Sequence, residues 1–226
     1  MEELKQRLYL TFILQDRWKF FVEGLGMTLL LTVASFILGS LIGAAFCALK
    51  LSRIKAVRKI TNGVISILVQ LPTLVLLMLF VYIVFGETSL STTLVVIFGL
   101  TLKAGAYISE IFCTAVTAVN SGELEAANTL GLSRFQIFRY VTLPQAITSA
   151  LPVYKNQFII TLQETSIVGY LAIVDLTRAS DIVTSRTYDA FFGLIVISIL
   201  YILIGYLGNL LLRLLGHRKH LGGDSK

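Results

Sequence analysis

The sequence is poor in the residues from which protein active sites are usually built. It has two cysteines, Cys47 and Cys113, too few for a disulfide framework and without metal-ligand spacing. Both fall in apolar stretches and read as small buried residues. The two histidines, His217 and His220, lie in a basic tail that water can satisfy. No G-x-x-x-x-G-K-S/T loop is present, so the chain lacks the phosphate cradle that binds ATP in P-loop proteins. No nucleophile stands beside a base, and hydrolysis by this chain alone is not expected. Charged residues make up only 14% of the 226, against 56% apolar, and a soluble domain of this size cannot hide that much apolar surface. A removable leader is not expected either. The first 23 residues carry charge throughout and show no small-residue cleavage site, so the first apolar stretch is expected to act as the insertion signal.

What the chain does have is long apolar runs, and these define an all-α integral membrane protein. A bilayer core about 30 Å thick requires about 20 apolar residues in a helix. Three stretches meet this with no charge at all: 25–49, 60–86 and 190–212. Two more are long enough but interrupted, 88–119 by Lys103 and Glu110, and 146–174 by Lys155 and Glu164. Five spans are therefore expected, near 25–49, 60–86, 90–119, 146–172 and 190–212, in a single transmembrane domain over 1–226. Residues 1–23 read as an interfacial segment whose Trp18, Phe20 and Phe21 sit at headgroup level.

The net charge of +6 is not a nucleic-acid signal, because its distribution follows the membrane. Lys50, Arg53, Lys55, Arg58, Lys59, Arg134, Arg139, Arg213, Arg218, Lys219 and Lys226 fall on one side. Lys5, Arg7, Arg17, Lys19, Arg178 and Arg186 fall on the other. The excess on the first side places the C-terminus and the loop 121–145 in the cytoplasm and the N-terminus outside.

That loop, SGELEAANTLGLSRFQIFRYVTLPQ, is the longest mid-chain segment that cannot sit in lipid. Glu123 to Leu130 contains good helix formers. Gly131 suits a left-handed helix stop, Ser133 with Gln136 matches a capping box, and Pro144 fits the first turn of a third helix. Ala126 and Ala127 keep the first helix low, so that another protein can approach. From the residues alone, the segment is either a solvated loop or a rigid surface helix offered to a partner.

Polar residues within the spans are the other candidates. Gly39 and Gly43, and Gly205 and Gly208, read as packing positions. Gln70, Pro72 and Thr73 interrupt the second span, where proline frees a carbonyl; a packing kink and a substrate contact are both open. Lys103 and Glu110 lie seven apart on one helix face, either paired or bonded to a neighbouring helix, with Glu110 alternatively lining a polar path. Gln163, Glu164, Thr165 and Ser166 place a carboxylate beside two hydroxyls deep in the fourth span, which is either a packing cluster or a lining for a cationic group. The segment 175–189 reads as a solvated outer linker on which a soluble binding protein has room to dock.

These motifs resemble a known family. Glu125-Ala126-Ala127, then Gly131, then Val141, Leu143 and Pro144 look like the EAA loop of permease subunits of bacterial ABC importers. Leu143-Pro144-Gln145-Ala146 has the form of the polar amino acid branch. Gly24, Thr28 and Leu29 resemble its G-x-x-x-T-L opening, Ala106, Tyr107 and Glu110 its A-Y-x-x-E segment, and Glu164-Thr165-Ser166 its L-K-D-T-S-L segment. The chain departs from the pattern at Val69-Gln70-Leu71-Pro72, where R-G-T-P is usual, and at Cys113, where arginine is usual. The resemblance implies a type I importer permease fold in the bacterial cell membrane, with a cytoplasmic coupling helix. Glu123, Glu125, Ala126, Ala127, Gly131, Leu132 and Pro144 would then couple to a separate ATPase. Gln70, Pro72, Glu110, Gln163, Glu164, Thr165 and Ser166 would line the substrate path. The partners implied are a second permease, identical or homologous, two ATP-binding subunits that hold the ATP, and an extracytoplasmic amino acid-binding protein; no cofactor is implied in this chain. Two rivals are a passive channel and a non-transporting member of a heterodimeric permease.

Overall fold

A computed structural model describes residues 2–217. Arg218, Lys219, His220 and Lys226, assigned above to the basic tail, lie outside the described residues, as does the side chain of His217. The described residues form only helices and their connections. In chain order these are α1 (Glu2–Leu8), α2 (Trp18–Lys50), α3 (Lys55–Gln70), α4 (Thr73–Met78), α5 (Thr92–Thr117), α6 (Ser121–Thr129), α7 (Arg134–Ile137), α8 (Leu143–Glu164), α9 (Leu176–Thr187) and α10 (Ala190–His217). Among them, Trp18–Lys50, Thr92–Thr117 and Ala190–Leu214 are each long and apolar enough to cross a membrane. Two broken pairs pass the same test together: Lys55–Gln70 with Thr73–Val84, and Arg134–Leu171 with Leu176–Thr187.

The stretch 60–86 is thus not one helix. Leu71 and Pro72 are extended, with ψ of 133° and 136°, and α4 starts afresh behind them. A proline at that point has no N–H to continue α3, and the residue before it is driven out of the helical region. The interfacial segment is also broken. A π turn at Tyr9–Ile13 follows α1, and Gln15 and Asp16 take positive φ of 58° and 56° before α2 begins.

The chain forms two compact units. One comprises the residues up to Phe36, Pro72–Leu100 and the chain from Phe158 on. Its interior holds Leu31, Leu77, Val96, Leu100 and Val168 in one cluster, and Phe21, Leu162, Leu176, Val183 and Ile197 in another. Here the segment 175–189 proves not to be a solvated linker. Asp175 is fully buried, and its side chain caps α9 by accepting from Thr177 N at 3.1 Å and Arg178 N at 3.0 Å. Leu176, Ala179, Ser180 and Val183 form the buried stripe of α9. Tyr201 closes the carboxylate with its hydroxyl at 3.3 Å.

The other unit comprises Ile37–Leu71 and Thr101–Gln157. In lipid there is no hydrophobic drive to bring helices together, so they associate through small residues and polar contacts. The C-terminal half of α2 shows both, small residues against α5 and a polar contact to α8. A Cβ on Gly39 would lie 2.9 Å from Ala104 Cβ and 3.2 Å from Gly105 N. Ser40 and Tyr154 share a hydroxyl hydrogen bond of 2.7 Å, and Phe112 stacks on Tyr154. The expected packing role of Gly39 and Gly43 is therefore specific: they admit the backbone of α5.

The third helix of the loop does not start at Pro144. From Arg134 the chain runs on helically through a π turn, Phe138–Thr142, into α8. Leu143 N–H bonds to Phe138 O, five residues back. This wider turn makes room for the ring of Pro144, which in a regular helix collides with the carbonyl four residues earlier.

Candidate functional site

The loop between α5 and α8 is rigid at every joint. Asn120 Oδ1 accepts from Gly122 N at 2.8 Å and starts α6, a cap the sequence reading passed over although Asn before a helix is a standard start signal. At the other end Gly131 has φ of +79°, its N–H bonds to Asn128 O at 3.0 Å, and Leu132 N–H bonds to Ala127 O at 3.3 Å. This pair of bonds is the Schellman closure. The next residue, Ser133, opens α7 with the full capping box: its N–H donates to Gln136 Oε1 at 2.8 Å, and its Oγ accepts from Gln136 N. Only Leu130 to Ser133 separate the two helices. Gln145, at the start of α8, donates its side-chain amide to Glu123 Oε2 and ties α6 back to the long helix.

On this frame Glu123, Glu125, Ala126, Gly131 and Pro144 are exposed, and Leu132 is half-buried. Ala127 is 5% exposed, so it packs inward and does not widen the open face with Ala126, as the sequence suggested. Beside them Leu130, Phe135 and Tyr140 stand out at 81%, 75% and 68% exposure, with Arg139 over the Tyr140 ring. Apolar side chains in such numbers on a polar loop are characteristic of a contact surface.

Glu110 and Lys103 each find a partner on a neighbouring helix, one of the alternatives left open above. Glu110 does not pair with Lys103. It accepts from Lys50 Nζ at 2.5 and 2.6 Å, one helix away at the end of α2. One turn earlier on α2, Cys113 Sγ donates to Cys47 Sγ at 2.7 Å. Glu110 therefore sits in a seam that joins α2 to α5. Lys103 is buried and donates to Leu71 O.

Glu164 is half-buried, and Thr73 Oγ1 donates to its Oε1 at 2.8 Å. This brings the carboxylate to the residue after Pro72, at the first turn of α4, which the separation of 91 residues made invisible beforehand. Gln70 is exposed and bonded to Ser66 Oγ, Pro72 and Gln163 are exposed, and Ser166 donates to Gln163 O. Thr165 is fully buried and donates back to Leu162 O, so its hydroxyl is turned to its own helix.

A helical membrane component with a capped loop helix between two spans is thus in hand. Residues 35–220 match the family described as binding-protein-dependent transport system inner membrane component, and the chain belongs to that family. It is 33% identical over 184 residues to a probable amino-acid permease protein, YxeN, of Bacillus subtilis, covering 80% of this chain and 82% of the relative. It is 31% identical over 200 residues to a putative glutamine transport system permease protein, GlnP, of Rickettsia prowazekii, covering 85% and 91%. Among solved structures it is similar to a chain of an amino acid ABC transporter crystallised with histidines, with a TM-score of 0.79 at 34% identity, covering 88% of this chain and 94% of that one. The protein is accordingly a membrane permease component of an ABC transporter with the importer permease fold.

Proposed function

We propose that the chain is one permease subunit of an ATP-driven amino acid importer, in which α6 is the lever that receives work from a separate ATPase. The observation that carries this reading is the double closure at Leu130–Gln136, a Schellman motif followed without slack by a capping box. A solvated loop has no need of it. A lever does, because a push on α6 then passes to α7 and α8 instead of bending the joint. In this reading a second permease, identical or homologous, completes the path, two ATP-binding subunits hold and hydrolyse the ATP, and an extracytoplasmic binding protein delivers the amino acid. The excess of Lys and Arg on the loop side puts α6 and the C-terminus in the cytoplasm and the N-terminus outside.

The test is Glu125→Lys. Glu125 is exposed on α6 and among the described residues its side chain makes no bond that shapes the loop, so the change reverses a surface charge without unfolding it. The expected outcome is a large fall in recovery of the ATPase when the permease is purified from native membranes; undiminished recovery contradicts the lever.

Glu164, held by Thr73, is the path residue this geometry favours most. Its carboxylate supplies acceptors for an ammonium or guanidinium group. Glu164→Gln keeps the shape and removes the charge. It is expected to weaken import of cationic amino acids relative to neutral ones in competition assays on proteoliposomes, by about tenfold for the loss of about one charge-assisted bond of 1.4 kcal/mol or more. Equal effects on both classes would reduce Glu164 to a packing role.

A further inference from the structure

The break at Leu71–Pro72 is held from α5. A helix ends with unsatisfied carbonyls that carry the negative end of its dipole. At the end of α3 two carbonyls of the chain are taken by α5 side chains. Lys103 Nζ donates to Leu71 O, and Tyr107, one turn further along the same face, donates to Val69 O at 3.3 Å. Lys103 is 3% exposed and its ammonium lies 6.0 Å from the Tyr107 ring centre. A buried lysine is costly unless its charge is used, and here it meets the carbonyls the proline break sets free. The stretch Val69-Gln70-Leu71-Pro72 holds no cation of its own; Lys103 brings one to it from the neighbouring helix.

We propose that Lys103, assisted by Tyr107, is a positioning residue of the transport cycle, tying the broken end of α3 to α5 so that the break follows the lever. α5 runs from this contact down to Thr117, and only Ala118 to Asn120 separate it from α6. Displacement of α6 is therefore passed up α5 and, through the lysine, to the Leu71 carbonyl. Without the lysine, α5 moves and the break stays. This inference rests on the lever reading above.

The experiment uses the complex purified from native membranes with its ATPase. Both native cysteines are replaced by alanine, and a bimane fluorophore is placed on Ile67→Cys, an exposed position in the last turn of α3. Bimane emission is compared without nucleotide and with ATP plus vanadate. With Lys103 present, nucleotide is expected to shift the emission. Lys103→Met, of similar length without charge or donor, is expected to abolish the shift while ATPase recovery stays normal, and Lys103→Arg to restore it. Tyr107→Phe, which removes the hydroxyl that bonds Val69 O, is expected to diminish it, and it carries the test should Lys103→Met fail to assemble. A full shift in Lys103→Met, or in Tyr107→Phe when that variant stands alone, overturns the inference and leaves the lever intact. No shift in the unmodified complex, or no ATPase recovered with it, overturns the lever and the inference together.

Discussion

Gly131→Val is expected to abolish ATP-driven amino acid uptake while leaving the protein folded. Gly131 holds a φ of +79°, where a residue with a Cβ costs about 1–2 kcal/mol and a β-branched one more. A Cβ there meets nothing within 4 Å, so the penalty is entirely backbone strain and no neighbour is displaced. The strain is relieved if the residue leaves the left-handed region. That breaks the bonds of Gly131 N to Asn128 O and of Leu132 N to Ala127 O and turns the joint after α6 into a hinge. A penalty of 1–2 kcal/mol is a small part of the stability of such a protein but enough to populate the slack joint about 5- to 30-fold more. Gly131→Asn tolerates the left-handed conformation and is expected to keep most of the uptake. Transport in proteoliposomes together with the melting temperature of the purified complex checks both halves. Equal uptake for Val and Asn would show that the joint need not be stiff.

Gly39→Val and Gly105→Val are each expected to destabilise the protein outright. The two glycines face one another across α2 and α5: a Cβ on Gly39 comes within 3.2 Å of Gly105 N, and one on Gly105 within 3.2 Å of Gly39 O and 2.9 Å of Ile42 Cγ2. Most of these obstacles are backbone or β-carbon atoms, which cannot rotate away, so the helices must separate. Overpacking costs about 1–3 kcal/mol for added methyls even where neighbours can adjust. Separation would also stretch the Lys50–Glu110 contact along the same seam. The double variant is expected to be less than additive, because the first valine opens the gap the second requires. Gly26→Ala and Gly63→Ala, where a Cβ meets nothing within 4 Å, are the controls and should leave thermal unfolding in detergent unchanged.

Elements governed by near neighbours were legible in the amino-acid sequence. The stop at Gly131 and the box at Ser133 and Gln136 depend on residues within five positions of each other, and both stand where their spacing put them. The family was legible for the same reason: its loop signature is a run of local requirements. Partnerships across the chain were not. Glu110 and Lys50 are 60 positions apart, Glu164 and Thr73 are 91, and helix-face geometry within one span says nothing of which neighbour arrives. The segment 175–189 misled for a different reason. Its polar composition hid the spacing of Leu176, Ala179, Ser180 and Val183, which is that of an amphipathic helix with an Asp cap. At Pro72 a packing kink and a substrate contact were both open, and neither included a complete interruption; Lys103 and Tyr107, arriving from α5, take up carbonyls that such a break leaves in lipid.

The π turn at Phe138–Thr142 acts as a spacer in rotation. It holds one residue more than a regular turn, and each helical residue advances the chain by about 100° about the axis. Removing a single residue there would let the segment relax to ordinary winding. Everything before it, including Glu123 and Glu125, would then swing by about a quarter of a revolution relative to α8. The azimuth at which this subunit presents the surface of α6 is therefore indexed by residue count, and insertions or deletions in those five positions would re-aim that surface without touching any residue on it.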